Sequence, residues 1–155
     1  MFSLFGLPVH PLIVHATVVV VPAAAVAVAL AAVWSRFRRW FSWGTPAAAV
    51  AATILVPLAT SSGESLQQQL PRTALIEAHV RLAEGLLPWV IALSVLAVAG
   101  WWMHGLAGRF SPRRPLARWL PVLVAVLAVV AAVGTLVEVV LIGHSGAAAA
   151  WTTTG

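Results

Sequence analysis

His10, His15, Glu64, His79, Glu138 and His144 are the side chains of this chain that could do chemistry, and His144 sits in the distinctive stretch Gly143-His144-Ser145-Gly146-Ala147. A neutral imidazole offers one lone pair, which makes it the usual metal ligand where cysteine is missing. A carboxylate bonded to the other ring nitrogen fixes the tautomer and the aim of such a ligand. The chain has no Cys, Asp, Lys, Asn or Tyr. Thiolate ligands, disulfides and cysteine nucleophiles are therefore excluded. A Ser-His-Asp triad cannot be built either, and Ser62 and Ser145 have no base beyond nearby histidines. No catalytic residue is assigned, and the chain is not expected to be a stand-alone enzyme.

Three chemistries remain open for the cluster. Haem b could be held by His15 with His79 or His144, since two imidazoles on different helices of a bundle suffice. A divalent or copper ion could sit on His15, His79 and His144, with His10 nearby and Glu138 and Glu64 as ligands or orienting groups. The third is a cofactor-free polar network that pins helix ends together.

The elements that must position these groups are membrane spans. Of the 155 residues 61% are hydrophobic and only 8% charged, and mean hydropathy is +0.99. A soluble core of this size would need far more polar surface. Apolar runs at 12–34, 40–59, 85–102 and 120–142 are each about long enough for a ~30 Å hydrocarbon layer. The reading is an all-α membrane protein, with four transmembrane helices in one antiparallel bundle covering 1–155. Pro8 and Pro11 are expected to keep the segment around His10 out of a regular helix. This uncharged opening lacks the basic region of a signal peptide. Gly63 is expected to stop the second span, leaving Thr60-Ser61-Ser62-Gly63-Glu64 as a turn, and Thr73 to cap the third helix. Glu77, Arg81 and Glu84 form a solvated stripe on that helix, with His79 on another face. Glu138, four residues inside the fourth run, is the only formal charge within any of the four. It is either a functional group facing the bundle or a protonated carboxyl bonded to another helix.

Charge sets the expected orientation. The net charge is +5, and all nine basic residues are Arg. Seven of them lie in the connectors 35–39 and 104–118, among or near tryptophans that favour the headgroup level. The positive-inside rule puts both connectors in the cytoplasm and both termini outside. His10, His15, Glu64, His79, Glu138 and His144 then share the outer end, and only His104 lies opposite. A nucleic-acid role is not expected, because the Arg residues flank apolar runs. The expected partners are the lipid bilayer and a second copy or a membrane redox partner. Alanine-rich stretches in the first, second and fourth runs would allow close helix approach.

The opening Gly6-Leu7-Pro8-Val9-His10-Pro11-Leu12-Ile13-Val14-His15 joins the Thr60–Glu64 motif, Glu77-Ala78-His79 and the closing Gly-His-Ser-Gly-Ala. Together they resemble a bacterial four-helix integral-membrane domain family of unknown function. The chain departs from that pattern at Ala16-Thr17-Val18, where many members carry an aromatic and a proline. The resemblance implies a multi-pass protein of the bacterial inner membrane. In plan the family is similar to small membrane b-type cytochromes, which implies haem-mediated electron transfer as the expected role.

Overall fold

Long apolar runs cannot leave backbone polar groups unpaired in lipid, and a helix satisfies them within its own segment. In a computed structural model the chain does this four times. Residues 3–4, 7–67, 73–110 and 119–151 are described, with side chains for 12–65, 73–105 and 119–148. The long helices are α1 (Val9–Val33), α3 (Gly44–Gln67), α4 (Ala74–Phe110) and α5 (Trp119–Trp151), with a short α2 (Ser35–Trp40) after α1. All four long helices are long and apolar enough to cross a membrane. A two-residue antiparallel ladder, Ser3–Leu4 with Leu7–Pro8, precedes them.

The helices form a ring. α1 packs on α3, α3 on α4, α4 on α5, and α5 closes back on α1, while α1 and α4 scarcely touch across it. The all-α, four-helix architecture expected from sequence is the one observed. The shared core is built mostly of small side chains, among them Ala24, Ala25, Ala49, Ala52, Ala131 and Ala132, each fully or almost fully buried. Small residues let helix backbones approach closely, the main source of helix adhesion where lipid is as apolar as the core. Large apolar side chains such as Val19, Ile54, Val95 and Val140 face outward. One polar contact crosses the middle of the bundle. Thr53 Oγ1 donates to the Val90 carbonyl oxygen at 2.9 Å and lies 2.7 Å from Ser94 Oγ, linking α3 to α4.

Several boundaries differ from the sequence expectation. Pro11 lies inside α1, in its first turn, where a backbone N–H has no partner to lose. Gly63 does not stop the second span, and α3 runs on to Gln67. The hydroxyls of Thr60, Ser61, Ser62 and Ser65 donate back to the carbonyls of Pro57, Leu58, Ala59 and Ser61. Polar residues thereby stay within the helix instead of ending it. The second span begins at Gly44 rather than Trp40, because α2 occupies the preceding residues. The fourth helix continues without a break to Trp151, thirteen residues beyond Glu138. Thr73 does cap α4, accepting from the Ile76 N–H at 3.3 Å. Beside the first Arg cluster Trp34, Phe37, Trp40 and Phe41 pack against one another, some stacked and some tilted, with centroids 5.6–6.4 Å apart, as suits an interface anchor.

Candidate functional site

The contact between α4 and α5 is the most extensive in the bundle, and three pairs of residues set its register. His79 faces Ser145 and Gly146, Gly85 faces Glu138, and Trp89 faces Gly134. As numbering rises on one helix it falls on the other, as antiparallel neighbours require. Each pair sets a glycine against a functional or bulky side chain. A Cβ on Gly146 would lie 3.1 Å from the His79 ring, and one on Gly134 would lie 2.3 Å from the Trp89 ring. The glycines of α5 make room for the larger groups of α4, and Gly85 does the same for Glu138.

His79 is held by a serine on the neighbouring helix. Its Nδ1 lies 2.9 Å from Ser145 Oγ, and the same hydroxyl lies 2.9 Å from the carbonyl oxygen of Ile142. The carbonyl can only accept, so the single hydroxyl proton points to it. Ser145 Oγ then accepts from Nδ1–H, the arrangement in which the lone pair of a neutral ring sits on Nε2. A ring nitrogen anchored in this way leaves the other aimed and basic, the arrangement that supports a ligand histidine.

Glu138 faces the bundle, as its charge inside an apolar run suggested. Its carboxylate lies 3.8–3.9 Å from where a Cβ of Gly85 would stand. The expected polar contact with another helix is not seen at Oε2, which is buried with no hydrogen-bond partner among the described residues. His79 is not the imidazole partner expected for it. The register places Glu138 seven residues along α5 from Ser145, about 10 Å deeper than His79 at 1.5 Å per residue.

The other expected site residues are spread over separate helices. His15 is exposed on α1, Glu64 is exposed on α3, and His144 is exposed on α5 beside the half-buried Ser145. The side chain of His10 lies outside those described. Among the described residues, no group of three or more His, Cys, Asp or Glu side chains is placed to hold a metal ion. His104, at the opposite end, has its Nδ1 2.8 Å from the Gly100 carbonyl oxygen, to which it donates. Sequence reading singled out the Gly143–Ala147 stretch and weighed Ser145 only as a nucleophile without a base, and it gave Gly85 and Gly134 no role. The Gly134, Gly143 and Gly146 spacing on α5 was the available signal, since glycine in a helix interior calls for a packing reason.

Residues 6–154 match the family described as "Predicted membrane protein (DUF2231)", and the chain belongs to that family. No curated protein and no solved structure matches the chain.

Proposed function

We propose that this membrane protein binds haem b or a metal ion at the outer end of the α4–α5 seam and serves in electron transfer. The observation that carries the reading is the His79 side chain, whose Nδ1 is engaged by Ser145 and whose Nε2 is thereby left as the nitrogen for a ligand. The donor set suits haem better than a metal ion. Haem iron needs one or two imidazoles, whereas a bare ion needs three or more ligands, and no such trio stands among the described residues. His79 would be the first ligand, and His15 or His144 the second. Glu138, with its unpartnered buried oxygen, and Glu64 and His10 would be auxiliary groups. A bound haem would supply one-electron transfer. The chain's own part is to hold the His79 ring by the serine and to shape the seam with glycine.

The test is the absorption spectrum of the full chain, purified in detergent from cells supplied with haem, reduced minus oxidised. The expected result is a b-type Soret and α-band pair that His79→Ala abolishes. Ser145→Ala should weaken cofactor retention 10–100-fold, the usual effect of removing an orienting partner. A featureless spectrum together with no metal by elemental analysis would overturn the reading. The cofactor-free alternative would then stand, with the His79–Ser145 bond acting only to pin α4 to α5 in an accessory subunit.

The same reading places the protein in a bacterial inner membrane, with both termini outside. It rests on seven of nine Arg lying in the two connectors of one side. A reporter active only in the cytoplasm, fused after Gly155, is expected to be silent. The same reporter inserted in the connector 111–118 should be active, and the reverse pattern would refute the orientation.

A further inference from the structure

At the Arg-rich end, opposite the His79–Ser145 contact, the four helices do not close on one another. They leave a cavity of ≈660 Å³ that receives residues from all of α1–α5. Its inner wall is apolar, with Leu96, Ala97, Val124 and Ala128, while Arg38, Arg39 and His104 bring nitrogen to it. Gly100 and Gly105 also line it, and a Cβ on either would meet nothing within 4 Å. Among the described residues this space is open beside the helix.

The charge around it is one-sided. Arg38 Nη1 donates to the carbonyls of Ala31 and Ala32 at 2.7 and 3.4 Å, capping α1 and drawing the guanidinium over the cavity end of that helix. Such a fork has five N–H groups, and these two contacts use one nitrogen. Arg39 is exposed beside it. No carboxylate is at hand: Glu64 is near the far end of α3, Glu77 and Glu84 lie in the first three turns of α4, and Glu138 is in the second half of α5. A ligand that suits this space has an acidic oxygen head for the arginines and an apolar body for the alanine, valine and leucine wall.

We propose that the cavity binds an acidic lipid, with its phosphate or carboxylate at Arg38 and Arg39 and acyl chain against α4 and α5. Basic pockets between membrane helices hold anionic headgroups by the same combination of charge and apolar wall. Phospholipid and free fatty acid share this chemistry, and the two are separated by the test.

The full chain is stripped of lipid in detergent and offered phosphatidylglycerol, phosphatidylcholine of the same chains, or oleate, with retention read by native mass spectrometry. Phosphatidylglycerol or oleate is expected to be retained about tenfold or more over phosphatidylcholine, and the better of the two identifies the source. Arg39→Gln should lower retention about fivefold, the effect of one basic residue near an anionic headgroup. Arg36→Gln, on α2 but outside the cavity, should leave it unchanged. Gly100→Leu fills the cavity without a Cβ clash and should abolish retention, and Gly105→Leu provides the same block from a second position. Helicity and a single sedimenting species confirm that these variants fold. Equal retention of phosphatidylcholine would overturn the proposal, as would wild-type retention by both folded leucine variants. Displacement of the lipid by millimolar inorganic phosphate would also overturn it, because the apolar wall would then contribute nothing.

Discussion

Gly134→Ala is expected to destabilise the bundle by about 3 kcal/mol, the upper part of the range for overpacking a tight contact. The added methyl would stand 2.3–2.6 Å from three carbons of the Trp89 six-membered ring. No real Cβ approaches carbon that closely, so the indole must swing away or α4 and α5 must separate. Both outcomes damage the largest helix contact in the molecule, next to the buried Val90 and Thr135. The check is an unfolding titration in mixed micelles followed by helical circular dichroism. Trp89→Leu should be mildly destabilising alone and should rescue most of the Gly134→Ala loss when combined with it. Such non-additivity is the signature of a direct contact. Gly134→Ala within 0.5 kcal/mol of wild type would show that the ring does not rest on this glycine.

Glu138→Leu is expected to act in the opposite direction and raise stability by about 1–3 kcal/mol. Oε2 is buried without a hydrogen-bond partner, and leaving a polar atom in that condition costs about that much. Leucine has a similar volume and would meet Gly85 across the seam with apolar contact only. A residue that weakens the fold yet faces the bundle interior is one whose retention needs a functional reason. In the same mixed-micelle titration, Glu138→Leu should therefore unfold at higher denaturant. A loss of stability beyond 1 kcal/mol would mean that the carboxyl makes a stabilising contact, and the case for a functional role would fall with it.

The two substitutions also mark where sequence reading stops. Glu138 was legible because a carboxylate among Leu136, Val137, Val139 and Val140 is costly wherever it points. Its surroundings were not legible. Nothing local specifies that α5 sets Gly85 of α4 opposite it, because register between two apolar helices depends on which side chains fit which gaps. The Gly134–Trp89 contact decides that fit, and it joins residues 45 positions apart.

Composition and the lengths of the apolar runs were enough, taken alone, to determine four membrane helices and an all-α bundle. The reason is that lipid leaves the backbone no other way to satisfy its polar groups over such lengths. The helix ends were misjudged where Pro11, Gly63 and the Thr60–Ser62 hydroxyls were read as breakers. First-turn position lets Pro11 stay helical, back-bonding to the preceding turn does the same for Thr60–Ser62, and α3 simply runs on through Gly63. Tertiary structure alone decided which polar groups meet. It joined His79 to Ser145, set a glycine beside Glu138, and opened a basic cavity at the end where His104 lies. Each of these depends on the rotation and register of one helix against another, which an apolar sequence specifies only through the shapes that pack.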